Sequence, residues 1–110
     1  MTTVYELRRY VAVPGKEQAL RRRFEDGTLA LFRELGIRVV DFWETVAAPV
    51  ELWYVLEWPS EPAMKETWNA FRANGKWLAL KSESETGGPI VASITSTLLT
   101  RVPFFSAPNP

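Results

Sequence analysis

The first element that the polar and apolar pattern predicts is a β-strand over residues 3–13, ended by a Pro-Gly pair that breaks regular structure. Successive side chains of a strand point to opposite faces of the sheet. Glu6, Arg8 and Tyr10 therefore share one face, and the second arginine of the strand lies on the other. Because Ala12 should pack beneath the helix that follows, we expect this first face to lie under the helices.

Helical spacing begins after this strand and continues over residues 16–35, where Gly36 is the residue type that commonly follows a helix end. The apolar residues recur at intervals of four, seven and four, which places them on one stripe of a helix with about 3.6 residues per turn. They are Leu20, Phe24, Leu31 and Leu35.

Four arginines of this predicted helix lie mainly off the apolar stripe. A basic cluster of this kind is either a patch that binds anions or RNA, or a solvated helix face. Glutamates lie close by in the sequence and offset its charge, so we interpret the cluster as a solvated face. The arginines are Arg21, Arg22, Arg23 and Arg33.

Two runs rich in β-branched and aromatic residues, 37–47 and 50–58, predict the second and third strands. The short break between them predicts an antiparallel hairpin. Pro59 ends the third strand, and Ser60 is a suitable N-cap for a second helix.

The second helix is predicted from Met64, Trp68 and Phe71, which recur at spacings of four and three on one apolar stripe. An Asn-Gly pair ends it, and residues 76–85 can form a short additional helix. After a glycine-rich loop, residues 90–102 predict the fourth strand.

The predicted order of elements is β-α-β-β-α-β, which is the ferredoxin-like plan of the α+β class. In this plan the helices cover one face of a four-stranded antiparallel sheet. A chain of 110 residues fits one domain. We expect that domain to span residues 1–102 and to be followed by an irregular, proline-rich tail over residues 103–110.

Both faces of the predicted sheet carry large apolar residues, such as Phe42 against Trp43 and Trp53 against Tyr54. A sheet with one solvated face would instead alternate cleanly between apolar and polar residues. The chain has no further element to cover the second face, so we expect a homodimer or an assembly of dimers. The paired phenylalanines Phe104–Phe105 are expected to dock on a neighbouring subunit.

The charge and cysteine content limit the partners and the location of the protein. Thirteen basic and thirteen acidic residues cancel, so there is no basic field of the kind that nucleic-acid-binding proteins use, and we expect no nucleic acid as a partner. The sequence contains no cysteine and no apolar run long enough to cross a membrane. We therefore expect a cytoplasmic protein without membrane insertion.

The missing residue types also limit the chemistry. Without histidine or cysteine, the chain has no imidazole acid or base, no thiolate nucleophile and none of the usual ligands of zinc, iron–sulfur clusters or haem. Its acidic residues form no cluster in the sequence that would predict an all-oxygen metal site. We expect no bound metal and no cofactor.

Several motifs in order resemble the NIPSNAP family. They are "YELRRYVAVPGK", "GIRVVDFWET", a serine that opens the helix after the third strand, and "NGKWLAL". The resemblance covers about residues 4–104. It implies a ferredoxin-like subunit of a dimeric α/β-barrel with a small-molecule pocket between sheet and helices. The wider superfamily includes cofactor-free oxygenases, isomerases and haem-degrading enzymes, of which the last are not expected without histidine.

The chain departs from the family pattern at three places. Tyr54 stands where relatives often have a histidine in the third strand. Residues 63–65 are Ala-Met-Lys where relatives often have Asp-Arg, and residues 74–76 are Asn-Gly-Lys in place of a more acidic segment. Any activity that depends on those groups in relatives is not implied for this chain.

The candidate catalytic residues are Glu6, Arg8 and Tyr10. A glutamate whose pKa is raised by burial can act as a general base, an arginine can hold a carboxylate or a developing oxyanion, and a tyrosine can donate a proton. The alternative is structural, because Glu6 and Arg8 are two residues apart on one strand face and can form an ion pair that fixes the sheet.

The candidate ligand-binding residues are Trp43, Trp53 and Tyr54, whose flat rings can form the wall of a pocket for an aromatic molecule. Packing in the core or in an interface is the alternative for the two tryptophans.

Two functions therefore follow from the sequence. One is a dimeric protein that binds a small hydrophobic or aromatic molecule and could act as an oxygenase or isomerase without a cofactor. The other is a non-catalytic interaction or scaffold module.

Overall fold

The computed structural model describes residues 2–106 and Pro108, and it confirms the predicted order of strands and helices. The strands are β1 (Val4–Ala12), β2 (Arg38–Glu44), β3 (Leu52–Trp58) and β4 (Val91–Leu99). The helical elements are α1 (Glu17–Arg23), a π-helical segment (Phe24–Thr28), α2 (Leu29–Glu34), α3 (Glu61–Ala73) and α4 (Gly75–Ser84).

The four strands form one antiparallel sheet in the order β2-β3-β1-β4, which confirms the α+β class and the ferredoxin-like plan. Because β1 is central, its side chains have neighbours from both β3 and β4. The hairpin of β2 and β3 contains a bulge, where the register shifts between Val39 and Asp41. β4 ends three residues earlier than predicted, at Leu99, which pairs with Tyr5 near the start of β1.

Residues 17–34 are helical throughout, but five of them, Phe24–Thr28, form a π-helical segment that the sequence did not predict. A π-turn holds about one more residue than an α-turn, so the buried stripe shifts by about one position beyond it. This explains why Phe32, which the regular spacing did not include, is among the most buried side chains. Leu35, which the spacing did include, is only partly buried.

Helix α4 packs closely against the π-helical segment. A Cβ atom added to Gly27 would lie 2.6 Å from a side-chain carbon of Leu80, so the absence of a side chain at Gly27 allows this approach. At the N-terminus of α4, Lys76 forms an ion pair of 2.6 Å with Glu34 of α2. None of the residues of α4 is itself buried.

The prediction that all four arginines of the first helix form a solvated face is wrong for Arg23. Its side chain is 5% exposed, and its Nη1 lies 2.9 Å from Glu85 Oε2. The same nitrogen donates to Ser84 Oγ at 3.3 Å, and the guanidinium lies over the ring of Trp77. Arg23 is enclosed because α4 packs across the π-helical segment beside it. The other three arginines are exposed, as predicted.

The hydrophobic core lies between the helices and one face of the sheet. The predicted stripe of α3 is buried there, and β3 turns every second residue toward it. Aromatic rings dominate this core. Tyr54 stacks on Phe42 with ring centroids 4.8 Å apart, and Phe32 contacts Tyr54, Trp68 and Phe71. At the sheet edge, Ile94 on the helix-facing side of β4 remains 47% exposed, so the helices leave part of this strand uncovered.

The opposite face, here called the outer face, has no covering element among residues 2–106 and Pro108. Its apolar residues come from all four strands, and Trp43 is 50% exposed. The second arginine of β1, Arg9, lies on this face and binds both carboxylate oxygens of Glu51 at 2.8 Å. The apolar members are Tyr5, Leu7, Val11, Val40, Trp43, Trp53, Val55 and Leu99.

The described part of the tail, residues 103–106 and Pro108, contains no helix or strand. Phe104 and Phe105 are strongly exposed there. Their docking on a second subunit stays a prediction. Within the described residues, no helix has both the length and the apolar character needed to cross a membrane.

Candidate functional site

The carboxylate of Glu6 lies at the centre of a closed polar network beneath the helices. Its Oε1 accepts hydrogen bonds from the indole nitrogens of Trp58 and Trp68, at 3.0 and 2.9 Å. Its Oε2 accepts from Ser96 Oγ at 2.6 Å and from Arg8 Nη1 at 2.9 Å. Four donors thus surround a carboxylate that is almost completely buried, and they satisfy its hydrogen-bonding capacity.

The guanidinium of Arg8 connects Glu6 to two tyrosines. Arg8 lies opposite Tyr54 of β3 and Ser96 of β4 in the sheet register, which explains why these side chains contact one another. Its Nε donates to Tyr54 OH at 3.0 Å, and its Nη2 donates to Tyr10 OH at 2.9 Å. All three guanidinium nitrogens are therefore used inside the protein, and the group also lies 4.4 Å from the centroid of a Trp68 ring.

The hydroxyl of Tyr10 is the one hydrogen-bond donor of this network that has no acceptor among the described residues. Tyr54 is completely buried and accepts from Arg8, and its own proton goes to Tyr10 OH at 3.0 Å. Tyr10 OH therefore accepts two hydrogen bonds, from Arg8 and from Tyr54. A phenol oxygen that accepts two bonds still has one proton to donate. Among the described residues no acceptor takes that proton, so Tyr10 can donate it to a ligand.

A cavity of about 460 Å³ lies beside Tyr10, between the sheet and the helices, at the edge where β4 is incompletely covered. Arg8 and Tyr10 line it, whereas Glu6 is not among its lining residues. Its walls are mainly aromatic, and every helical segment contributes to them. The aromatic lining residues are Tyr10, Phe24, Phe32, Trp68, Phe71 and Trp77.

The pKa values of Glu6 and Tyr54 reflect this environment. Burial disfavours the charged form of Glu6, but hydrogen bonds from Ser96, Trp68 and Arg8 outweigh it, so the pKa of the Glu6 carboxyl is lowered. Burial and the neighbouring Tyr10 raise the pKa of Tyr54 well above its usual value. Glu6 is thus an ionised ion-pair partner, and Tyr54 is a neutral phenol.

Stability in acid should depend on Glu6. Its folded pKa is lower than the ordinary value of 4.5, so its ionisation contributes stability that is present above that value and is lost as the pH falls through the folded pKa. We expect the free energy of unfolding to fall as the pH drops below about 4.5, and to fall less steeply in Glu6→Gln. Urea unfolding at a series of acidic pH values measures both slopes. Identical slopes would contradict a lowered pKa.

The structure brings together four of the six residues that the sequence analysis selected. Glu6, Arg8, Tyr10 and Tyr54 form one network, but Tyr54 lies behind Arg8 and Tyr10 and does not line the cavity. The remaining two, Trp43 and Trp53, are paired across β2 and β3 on the outer face and do not line this cavity either. Their position on the outer face fits the alternative interpretation of the two tryptophans, packing in an interface.

Several residues of the site were not selected from the sequence. Ser96 lies on the helix-facing side of β4. Its position between Ile94 and Leu98, on an otherwise apolar face, could have indicated a buried polar contact. Arg23 lies three residues after Leu20, beside the buried stripe, which could have marked it as partly enclosed. No group of three or more potential metal ligands occurs within residues 2–106 and Pro108.

Fold and site together define a small ferredoxin-like α+β domain with a charged network inside its sheet and a cavity under its helices. The model of the NIPSNAP family matches residues 5–106. The chain therefore belongs to the NIPSNAP family, which confirms the resemblance seen in its motifs. A comparison with curated proteins found no match.

Solved structures of similar fold are consistent with this family. A NIPSNAP-like domain protein from Burkholderia xenovorans is 17% identical, with a TM-score of 0.78 over 98% of this chain and 91% of that one. A NIPSNAP family protein from Agrobacterium tumefaciens is 17% identical, with a TM-score of 0.79 over 94% and 90%. A protein from Chloroflexus aurantiacus assigned to the antibiotic biosynthesis monooxygenases is 13% identical, with a TM-score of 0.57 over 96% and 98%. At these identities the likeness is one of fold.

Proposed function

We propose that this NIPSNAP-family protein binds a small aromatic or otherwise apolar molecule in the cavity between its sheet and its helices. The observation that carries the proposal is a cavity of about 460 Å³ with mainly aromatic walls and a free proton donor, Tyr10 OH, in its lining. Ligand sites are typically apolar cavities of this size with a few polar groups that fix orientation.

Tyr10 is the group that orients the ligand in this proposal. It is held from behind by Arg8 and Tyr54, so its oxygen cannot move without breaking two hydrogen bonds. The nearby guanidinium charge strengthens the phenol as a donor. A carbonyl or phenolate oxygen of the ligand would accept a hydrogen bond from Tyr10 OH. The apolar part of the ligand would contact the aromatic walls.

An oxygenase or isomerase reaction without a cofactor would need a proton-transferring group in this cavity. Glu6 is poorly suited to be its base, because four donors occupy the carboxylate and Arg8 and Trp68 lie between it and the cavity. Tyr10 is the remaining candidate, as a proton donor. We propose binding as the function and assign no reaction to it.

The outer face supports a second part of the proposal, a homodimer. Its uncovered apolar residues come from all four strands, and Trp43 alone is 50% exposed. Monomers rarely expose apolar patches larger than a few hundred Å². A second copy would bury this face sheet against sheet and leave the cavity, which lies on the helix side, unobstructed.

The cavity proposal predicts a ligand-induced gain in stability that a blocked cavity abolishes. β-Naphthamide, a neutral aromatic probe, should raise the melting temperature of the wild type, because a ligand that binds only the folded state stabilises it. Ile94→Trp should remove this shift, since Ile94 lines the cavity and a tryptophan there would occupy it. Thermal unfolding with increasing probe concentration measures the effect.

Leu98→Trp is the matched control. Leu98 lies on the same strand and the same face, but it does not line the cavity, so this variant should keep the shift. A wild type without any shift, or equal shifts in the two tryptophan variants, would contradict binding in this cavity.

A further inference from the structure

The charges around the cavity are unbalanced. Four cations line it, namely Arg8, Arg23, Arg72 and Lys81, and no acidic residue does. Two carboxylates contact these cations from outside the main cavity. Glu6 neutralises Arg8, and Glu85 is shared by Arg23 and Lys81. Four positive charges less two negative ones leave an excess of two at the cavity.

Arg23 has unused donors in the cavity wall. Both of its described hydrogen bonds, to Ser84 and Glu85, start from Nη1. No acceptor within residues 2–106 and Pro108 binds its Nε or Nη2. Every fully buried side-chain nitrogen or oxygen in that part of the chain has a partner, so these two nitrogens must be accessible, although the side chain is only 5% exposed. Arg23 lines the cavity, so a ligand there is the nearest candidate acceptor for these two donors.

The cation-rich end of the cavity has room for a small anionic group. A neighbouring space of about 310 Å³ is lined by Arg23, Lys81 and their shared partner Glu85. Tyr10, Trp77 and Ile94 line both this space and the main cavity. Tyr10, whose proton has no acceptor among the described residues, lines this space as well. Two cations and a phenol are groups that bind a carboxylate. With one negative charge, that of Glu85, on the same space, one positive charge is left over for a ligand.

We infer that the ligand of this cavity is an aromatic acid, whose carboxylate is held by Arg23, Lys81 and Tyr10 while its ring contacts the aromatic walls. The inference rests on the proposed function and deepens it by naming the ligand class. Glu85 competes for the same two cations, which favours a ligand that adds an apolar body to its charge over a small inorganic anion.

The test compares two probes with the same ring system and different charge. Isothermal titration at neutral pH should show that β-naphthoate binds the wild type at least about tenfold more tightly than β-naphthamide. Arg23→Met should remove this preference, measured as the ratio of the affinities for the two probes within the variant. Arg23→Lys should retain part of it, because the charge remains and the planar guanidinium does not.

Two further variants keep the test independent of folding. Lys81→Met changes a half-exposed residue and should reduce the preference without affecting the fold. Arg22→Met removes an exposed charge from the adjacent position on the same helix and should change nothing. Equal binding of the two probes to the wild type would overturn the inference and leave the cavity proposal standing. Absence of binding by both probes would overturn the cavity proposal and the inference with it.

Discussion

Arg8→Ala should lower the free energy of unfolding by about 3–5 kcal/mol, the range measured when one partner of a buried ion pair is removed. The substitution leaves the carboxylate of Glu6 buried without a counter-charge, and it takes a donor from each of two tyrosines. Arg22→Ala, which removes an exposed charge from the first helix, should change the same free energy by less than about 0.5 kcal/mol. Urea unfolding of the two variants against the wild type measures the difference.

Arg8→Lys separates the role of the charge from that of the guanidinium geometry. A lysine keeps the counter-charge of Glu6 but cannot bind Glu6, Tyr10 and Tyr54 at once through a planar fork. We expect its loss of stability to lie between those of the two alanine variants. Equal and small losses for Arg8→Ala and Arg22→Ala would mean that the network contributes nothing to the fold.

Val55→Glu should convert the proposed homodimer into single chains. Val55 lies on β3 in the middle of the outer face, between Leu7 of β1 and Asp41 of β2 in the sheet register. A glutamate there would bring two buried, unpaired charges together across a sheet-on-sheet interface, which is strongly unfavourable. Sedimentation equilibrium at micromolar concentration should give twice 12.5 kDa for the wild type and 12.5 kDa for the variant.

Val46→Glu is the matched control, because it makes the same change at a fully exposed valine in the β2–β3 loop. It should sediment like the wild type. A wild type that sediments as a single chain of 12.5 kDa would contradict the dimer and leave the apolar outer face without a proposed cover.

The fold could be predicted because each element carries its own local signal. Alternation placed Glu6, Arg8 and Tyr10 on one face of β1, and apolar residues at helical spacing marked the buried stripes of the first and second predicted helices. The π-helical segment could not be predicted, because no residue in Phe24–Thr28 demands the extra residue in its turn. The contact between Gly27 and Leu80 becomes visible only when α4 is in place.

The polar network was predicted only in part. The pairing of Glu6 with Arg8 follows from their spacing in one strand, but Ser96 and Trp68 are 90 and 62 residues from Glu6 in the sequence. Those distant donors lower the pKa of Glu6, so they decide whether it can act as a general base or stays an ionised partner of Arg8. The enclosure of Arg23 likewise depends on Glu85, 62 residues further along, so the stripe of its own helix was not enough to predict it.

The attachment of α4 has a consequence for how a ligand enters and leaves. The helix forms one wall of the cavity, yet it buries none of its residues. Ion pairs near its two ends, Lys76 with Glu34 and Arg23 with Glu85, join it to the first helix. Only Trp77, Leu80 and Ser84 of the helix are partly buried. A segment of this kind can open locally at a lower free-energy cost than global unfolding. The proposed ligand could then exchange while the sheet stays intact. Its residence time would depend on what holds α4 in place, namely the packing of Trp77 and Leu80 and the enclosed ion pair of Arg23 with Glu85.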